Sequence, residues 1–305
     1  MKGKILSTVA GVYNVILEDK NIINITPRGK FRHLKIKPVV GDNVIIENNM
    51  ISEILPRKNI LIRPSIANID LGIIVSSCEE PKYSSYLLDK FLSYLNMNNI
   101  TPLIILSKID LSNEEFINKV VEEYNKINIK VIPFSKKDKT NIDLIHSLIK
   151  NKTIAFMGQT GVGKSSLINT ICPDFLRKEG EYSTSLKRGK HQTKEVIILP
   201  LEETMVADTP GFSSLELTCY KEELKDYFPF FKIKEGECFY QDCLHINEPK
   251  CYIKHLVEKN VIPLEHYQNY KQIFNELIFK DLITSILKLA TLSSYLASII
   301  TLPTL

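Results

Sequence analysis

One octapeptide has the residue types and the spacing of a phosphate-binding loop. Its residues, which fit G-x-x-x-x-G-K-[ST], are Gly158, Gln159, Thr160, Gly161, Val162, Gly163, Lys164 and Ser165. The apolar run before it predicts a strand, and the segment that begins at Ser166 predicts a helix. Glycines let backbone N–H groups turn towards phosphate oxygens, and the helix N-terminus adds the positive end of its dipole. We expect Gly158–Ser166 to bind a nucleotide, with Lys164 on the β- and γ-phosphates and the Ser165 hydroxyl on magnesium.

A second motif, Ser107-Lys108-Ile109-Asp110, ends a predicted strand upstream of this loop. It is close to the N/T-K-x-D sequence by which GTPases recognise guanine. The Asp110 carboxylate can accept both N1–H and the 2-amino group of guanine, whereas adenine lacks this donor pair and would leave the acid unpaired. The stem of Lys108 would pack along the base, and the Ser135 N–H, at the end of the next strand, would meet guanine O6. The motif predicts GTP and GDP as ligands, although an Asp at a strand end is also a common helix cap.

Two stretches after the loop have the composition of segments that sense the γ-phosphate. Gly189–Thr193 is polar and basic, and Thr193 is expected to bind magnesium. Asp208–Phe212 follows a predicted strand. Its Asp208 is expected in the outer magnesium shell, and the Gly211 N–H is expected at the γ-phosphate.

Phe212 stands where Ras-like enzymes carry the glutamine that orients the attacking water. Phenylalanine cannot orient water by hydrogen bonding, so intrinsic hydrolysis should be slow. His191 is our candidate for placing the water, and a solvated loop histidine is the alternative interpretation.

Four soft metal ligands lie within fourteen residues: Cys238, Cys243, His245 and Cys251. Three thiolates and one imidazole suit a tetrahedral structural zinc, with no position left open for catalysis. Disulfides or free thiols are the alternative, and a cytoplasmic location disfavours the disulfides. Three further cysteines are expected to be buried or inert: Cys78, Cys172 and Cys219.

The elements that must position these residues fall into three regions. Residues 1–65 contain about five short strands between turn signals, which favours a small closed barrel of the OB-fold type. Strand and helix patterns alternate through residues 66–217, which predicts a mainly parallel α/β sheet. Residues 218–305 hold the zinc cluster and helical patterns. The expected fold class is therefore α/β and β: an OB-fold barrel, a P-loop domain and a helical zinc-binding domain.

Charge is unevenly distributed along the 305 residues. Residues 1–65 carry 11 Lys/Arg against 5 Asp/Glu, whereas the whole chain has a net charge of +4. A basic first region predicts contact with a polyanion. Residues 28–37 contain five Lys/Arg and no acid, with Phe31 among them. Phe31 could stack on a base if it faces outward, or lie in the barrel core.

The overall composition is ordinary for a soluble globular protein, with 44% hydrophobic and 24% charged residues. No signal peptide is recognisable, so we expect a cytoplasmic protein. The tail Leu282–Leu305 has a single charge, Lys288. We favour a partly buried helix there, and membrane attachment is the alternative.

Together these residues resemble the ribosome small-subunit-dependent GTPase A family. The resemblance spans about residues 3–275 and is carried by Val39–Val44, Ile54–Asn59, Arg63-Pro64, Gly158–Ser166, Gly189–Thr193, Asp208–Phe212 and the zinc cluster. It implies a circularly permuted GTPase, since the guanine motif precedes the phosphate loop. It also implies a factor in late maturation of the small ribosomal subunit, whose GTP hydrolysis that subunit stimulates. We expect a monomer that binds this subunit and its rRNA, without DNA or a membrane as partner.

The chain departs from the family pattern at two positions. Ser107 replaces the Asn that usually begins the guanine motif, which puts base contact or its link to the phosphate loop in doubt. Gln192 replaces the first Thr of the usual switch loop, so magnesium binding falls to Thr193. Two other functions stay open at this point: a non-catalytic RNA-binding scaffold that only holds nucleotide, and an ATPase.

Overall fold

The amino-terminal residues form a closed five-stranded barrel. The computed structural model describes residues 1–29, 31, 36–62, 65–173, 196–201, 203–208, 215–233 and 236–278. The barrel strands are β1 (Lys2–Val9), β2 (Val12–Leu17), β3 (Ile22–Pro27), β4 (Asn43–Glu47) and β5 (Met50–Ile54). They follow the order β1-β2-β3-β5-β4, with β4 pairing back to β1 and β3 parallel to β5. This closed barrel confirms the fold expected for the first region.

Inward-facing apolar side chains alternate along these strands and fill the barrel, as the strand period requires. Phe31 belongs to this core and is 6% exposed. The interpretation of Phe31 as a base-stacking residue is therefore wrong, because its ring is enclosed by the barrel. Arg28 forms an ion pair with Glu47 at 3.0 Å. Of the basic segment, Lys30 and residues 32–35 lie outside the described residues.

A six-stranded sheet carries the phosphate loop. Two short strands, β6 (Ile60–Leu61) and β7 (Ile66–Ala67), precede it. Its strands are β8 (Leu71–Ser77), β9 (Thr101–Ser107), β10 (Val131–Phe134), β11 (Thr153–Met157), β12 (Ile197–Leu201) and β13 (Thr204–Asp208). The order is β10-β9-β8-β11-β13-β12, and every neighbouring pair is parallel except β12 with β13. The mainly parallel sheet is confirmed.

Four helices of the described residues alternate with the strands of the sheet, as predicted, and three further helices follow its last strand. They are α1 (Ser85–Met97), α2 (Glu114–Asn125), α3 (Ile142–Ile149), α4 (Lys164–Ile171), α5 (Leu224–Tyr227), α6 (Tyr252–Glu258) and α7 (264–278). Short 3-10 helices cover Ile109–Leu111, Lys221–Glu223 and Pro229–Ile233. Strand β11 is buried at all five positions, which explains its continuous apolar sequence.

The chain divides into two compact units. One contains Met1–Ser84 and the described residues between Tyr94 and Leu215, so the barrel and the parallel sheet lie in the same unit. The other contains Ser85–Ser93 and the described residues from Glu216 onward.

Polar contacts join the barrel to the sheet at the start of the phosphate-loop strand. The Lys4 ammonium of β1 donates to the Thr153 hydroxyl at 2.8 Å. Asp70 accepts from the Thr153 N–H at 2.8 Å and forms an ion pair with Lys58. Thr153 is 3% exposed, whereas the side chains of Lys58 and Asp70 are 63% and 28% exposed, so the junction is buried only at Thr153. The barrel is thus bonded directly to the strand that ends in the phosphate loop.

The second unit is built around aromatic side chains. Phe228 and Phe231 have ring centroids 4.9 Å apart, and both contact Tyr270 of α7. The buried His266 Nδ1 lies 2.7 Å from Asp89 Oδ2, and Phe230 stacks on the His266 ring. Within the described ranges, no helix combines the length and the apolar character that crossing a membrane requires. The apolar tail Leu282–Leu305 lies outside those ranges.

Candidate nucleotide site and metal centre

The loop after β11 has the backbone of a phosphate cradle. Gly158, Gly161 and Gly163 have φ values of 136°, 86° and 95°, in the region that favours glycine. A Cβ on Gly158 would lie 2.3 Å from the Val75 carbonyl oxygen, so any larger residue would push the loop off its neighbouring strand. Gly163 is the N-cap of α4, which places the helix N-terminus at the loop.

Lys164 is turned onto its own loop. Its ammonium donates to the carbonyl oxygens of Gly158 at 2.5 Å and Gln159 at 2.6 Å. Burial lowers the pKa of this lysine. The cation is therefore held at the centre of the loop, where phosphate oxygens would replace the two carbonyls as its partners.

The guanine motif lies at the same edge of the sheet as the phosphate loop. Strands β8, β9, β10 and β11 run parallel, so their carboxyl ends share one edge, where α/β folds bind ligands. Ser107 is the last residue of β9, and Ser135 directly follows β10. The structure thus brings together motifs that are far apart in sequence.

Ser107 links the guanine motif to the phosphate loop directly. Its hydroxyl, on a residue 3% exposed, donates to the Val162 carbonyl oxygen at 2.6 Å. Gly163 approaches so closely that its Cβ would lie 3.9 Å from Ser107 Oγ. Ser107 therefore provides a hydrogen bond between the two loops, so the link to the phosphate loop is kept although the usual asparagine is missing.

Asp110 is ionised and faces a lysine of the neighbouring loop. Its Oδ2 lies 2.8 Å from Lys137 Nζ, and its side chain is 24% exposed. The Lys137 hydrogen bond is the main reason that the pKa of Asp110 lies below its usual range. Ser135, which is 1% exposed, accepts from the Lys137 N–H through its hydroxyl at 3.1 Å. A carboxylate in this state can accept two hydrogen bonds from a guanine edge.

The loop after β8 also contributes to the site, which motif reasoning missed. The Lys108 ammonium donates to the Glu80 carbonyl oxygen. Pro81 Cδ lies 3.5 Å from where a Gly161 Cβ would stand, so this loop flanks both motifs. Ser77 donates to the Pro81 carbonyl oxygen at 2.6 Å and holds the loop in place. No sequence signal points to these contacts, because the loop contributes two backbone carbonyl oxygens and a proline ring rather than a recognisable motif.

The sensing residues are only partly described. Asp208 ends β13, which runs parallel to β11, so its backbone reaches the phosphate-loop edge. His191, Thr193 and Gly211 lie outside the described residues, and their roles stay predictions. Gln159, Thr160, Ser165 and Ser166 lie in the loop and the first turn of α4, as the motif predicts.

The four predicted metal ligands converge on one point. His245 Nδ1 lies 3.4 Å from the sulfur of Cys238, of Cys243 and of Cys251. The Cys238 and Cys251 sulfurs are 3.9 Å apart, and all four ligand atoms lie within 4.8 Å of one another. A zinc ion with bonds of about 2.0–2.3 Å in tetrahedral geometry requires separations of this size. The donor set and its geometry therefore fit a structural zinc.

Neighbouring groups hold the ligands of this cluster in position. Glu248 accepts from the N–H groups of Leu244 at 3.0 Å and Ile246 at 2.9 Å, on either side of His245. The Tyr267 hydroxyl donates to the His245 carbonyl oxygen at 2.7 Å. The Tyr252 N–H donates to Cys238 Sγ at 3.3 Å, which favours a thiolate. Such supporting contacts orient metal ligands before the metal binds.

The remaining cysteines lie outside the cluster. Cys78 and Cys172 are buried, and Cys219 is intermediate. Burial raises the pKa of Cys78 to about 11, so its thiol is protonated and unreactive at neutral pH. The expectation of inert thiols is met at this position.

Family comparisons cover most of the chain. The family described as RsgA N-terminal domain matches residues 2–53, and RsgA GTPase matches residues 54–218. A broader family, 50S ribosome-binding GTPase, matches residues 153–287. The boundary between the first two matches falls at the end of β5, where the barrel ends.

Similar proteins share both sequence and structure with this chain. "Small ribosomal subunit biogenesis GTPase RsgA" of Geobacillus sp. (strain WCH70) is 40% identical, covering 90% of this chain and 97% of the relative. The Bacillus subtilis (strain 168) protein of that name is 39% identical over the same shares. The structure of YloQ, "a circularly permuted GTPase", has a TM-score of 0.78 at 37% identity, covering 92% of this chain and 95% of YloQ. YjeQ from Thermotoga maritima has a TM-score of 0.79 at 33% identity, covering 91% and 98%. The chain belongs to the RsgA family of GTPases.

Proposed function

We propose that this chain is a GTP-hydrolysing assembly factor that binds the small ribosomal subunit during its late maturation. The observation that carries the proposal is the convergence of the phosphate loop and the guanine motif on one edge of the sheet. Ser107 bonds the two loops to each other, and Asp110 presents an ionised carboxylate beside them. The names of the family and of its relatives support hydrolysis and the small subunit.

The same geometry favours guanine over adenine. Guanine gives Asp110 two N–H donors, whereas adenine gives none at these positions and would leave the carboxylate unpaired after displacing Lys137. Because Asp110 is partly buried, a base without N–H donors for its carboxylate should bind more weakly than guanine. An ATPase is therefore the weaker interpretation.

The proposed residue roles in hydrolysis are supported by the geometry of the phosphate loop for Lys164 and by the family pattern for the other residues. Lys164 would neutralise charge on the transferred phosphoryl group, and Ser165 with Thr193 would hold magnesium. Asp208 would bind a magnesium water, and the Gly211 N–H would contact the γ-phosphate. His191 would place the attacking water, because Phe212 cannot do so. Intrinsic turnover is then slow, and binding to the subunit brings His191 to the γ-phosphate.

We further propose that the partner surface is ribosomal RNA rather than DNA, and that one copy of the chain acts in the cytoplasm. Residues 1–65 carry an excess of Lys/Arg, which suits a polyanion. The large subunit is a second candidate, because a 50S ribosome-binding family matches residues 153–287. The small subunit is favoured because relatives that match 90% of the chain carry its name.

GTP turnover titrated with purified ribosomal subunits tests the proposal. Small subunits should raise turnover about tenfold or more, as activation in trans does for other GTPases, and large subunits should not. A His191→Ala protein should bind GTP but lose the stimulation. His146→Ala, which changes an exposed histidine of α3, is the matched control and should keep it. Absence of turnover with and without subunits would instead establish a nucleotide-holding scaffold.

A further inference from the structure

Two consecutive aromatic residues project from the zinc-binding loop. Phe239 is 66% exposed and Tyr240 is 41% exposed, unlike the buried rings of Phe228, Phe231 and Tyr270 in the same unit. They lie between the ligands Cys238 and Cys243, and the Cys243 N–H donates to the Tyr240 carbonyl oxygen at 3.3 Å. This hydrogen bond closes the turn between the two ligands. The rings are therefore displayed on a segment that the metal cluster fixes at both ends.

The two rings form one small platform. Their centroids are 4.9 Å apart and their planes meet at 82°. Lys250 Nζ lies 4.6 Å from the Phe239 centroid, and the Phe239 N–H donates to the Lys250 carbonyl oxygen at 3.4 Å. A cation above an aromatic face is favourable, and it also places a positive charge next to anything that stacks on the ring.

A groove beside the platform is polar. It has a volume of about 600 Å³ and adjoins the metal centre, because Cys238, Cys243 and His245 form part of its wall. The rest of the wall includes Tyr240, Gln241, Lys225 and Lys232. Asp226 and Glu237 line it as well, so its charge is mixed. A surface of mixed charge attracts a phosphate backbone weakly. Its recognition elements are instead the aromatic faces and an amide, which suit a nucleobase.

We propose that Phe239 and Tyr240 stack on unpaired bases of single-stranded RNA, with Lys250 beside the adjoining phosphate. This inference rests on the proposed function, in which the chain binds ribosomal RNA. Stacking on exposed aromatic residues is sequence-tolerant, because every base has a π-face. A protein partner fits less well, because aromatic anchors of protein interfaces enter desolvated apolar surroundings. Here the neighbouring Gln241, Asp242 and Lys250 are exposed and polar.

The sequence contains no tryptophan, which allows a direct optical test. In a zinc-loaded full-length Phe239→Trp protein, the single indole reports on the platform. Titration with twelve-nucleotide oligoadenylate or oligouridylate should quench its fluorescence saturably, and the quenching should persist at raised salt because few phosphates are neutralised. A Tyr220→Trp protein is the matched control, since Tyr220 is 69% exposed in the same unit but outside the zinc loop. It should show no saturable quenching.

The Phe239→Leu substitution distinguishes stacking from simple apolar contact, because leucine is apolar but has no aromatic face. Phe239→Leu should weaken oligonucleotide binding about tenfold in a fluorescence anisotropy titration, while zinc content stays at one per chain. Equal quenching in both tryptophan proteins, or unchanged affinity in Phe239→Leu, would overturn the proposal. Quenching by small subunits but not by free RNA would point to a ribosomal protein and would also overturn it. These titrations need no GTP. RNA binding by the platform can therefore be tested even if small subunits fail to stimulate GTP turnover.

Discussion

At the scale of single residues, the Ser107 side chain forms the hydrogen bond that joins the guanine motif to the phosphate loop. Its hydroxyl is a short side chain in a position where the family usually carries a longer amide. The 2.6 Å bond to the Val162 carbonyl oxygen is buried, so no water can replace the hydroxyl easily. A buried carbonyl that loses its donor costs on the order of 1–3 kcal/mol.

Ser107→Ala should therefore lower the affinity for GTP and GDP about tenfold, which corresponds to about 1.4 kcal/mol. The preference for guanine over xanthine nucleotides should not change, because Asp110 is untouched. Asp110→Asn should do the opposite and shift the preference towards xanthine. Fluorescent-nucleotide titrations measure both quantities. Ser107→Asn, which restores an amide donor, is the control and should stay within about threefold of the parent. Unchanged GDP affinity in Ser107→Ala would contradict the assigned link.

Sequence alone can nominate residues where a side chain carries the chemistry; the four metal ligands converge in the structure, and the nucleotide-binding and catalytic roles stay predictions. Lys164, Asp110 and the four zinc ligands could be chosen from type and spacing alone. The contacts of Glu80 and Pro81 could not, since they involve backbone atoms of a loop with no motif. Lys137 was missed because its pairing with Asp110 depends on two strand ends meeting in space. Whether Phe31 faced inward also could not be decided until the barrel was closed.

At the scale of elements, the zinc loop (residues 236–251) is held together by its metal ligands, because so short a segment cannot bury a hydrophobic core of its own. Residues 236–251 contain no helix or strand, and three of the four ligand residues are buried. Helix α6 begins immediately after Cys251, and α7 supplies Tyr267 and Tyr270 to the loop backbone. The metal site is thus the point on which these helices are assembled.

His245→Ala should reduce the zinc content from one per chain to a small fraction and lower the thermal unfolding midpoint, because binding energy for a structural zinc is folding energy. A colorimetric zinc assay after protein digestion and circular dichroism melting give the two readouts. His255→Ala removes an exposed histidine of α6 and should keep both values. Full zinc content in His245→Ala would show that the imidazole is not a ligand.

At the scale of the whole molecule, the barrel and the parallel sheet belong to one compact unit although their sequences suggest separate regions. The sequence pattern located both folds, because strand alternation and continuous apolar runs are local signals. It could not reveal the junction, in which Lys4 and Thr153 meet across 149 positions of the chain. Burial lowers the pKa of Lys4, while the negative charge of Asp70 opposes this shift. The positive charge of Lys4 in the barrel and the negative charge of Asp70 beside the sheet therefore stabilise each other.

Asp70→Asn should destabilise this unit by on the order of 1 kcal/mol at neutral pH, since it removes the charge that compensates Lys4. Burial alone would raise the pKa of Asp70, but bonds from Lys58 and Thr153 outweigh burial and hold it below its usual range. The contribution is therefore present above the carboxyl's ordinary pKa and is lost as pH falls through the lower folded value. Urea unfolding at neutral and acidic pH should show a parent–variant difference that shrinks on acidification.

Hydrogen exchange locates the effect. Amides of both β1 and β11 should lose protection together in Asp70→Asn, because the junction joins these two strands. Asp242→Asn, a change of an exposed acid in the other unit, should leave both strands protected. Loss of protection in one strand alone would mean that the junction does not couple them.

The two carbonyl contacts of Lys164 change how mutational data on this site must be interpreted. In the structure the ammonium has two acceptors, the carbonyl oxygens of Gly158 and Gln159. Nucleotide binding is then an exchange of acceptors, and a measured affinity is the difference between two states in which the lysine is bonded. Removing Lys164 destabilises the free loop as well as the complex. Its substitution will therefore understate how strongly the lysine holds the phosphates, because the reference state has changed along with the bound one.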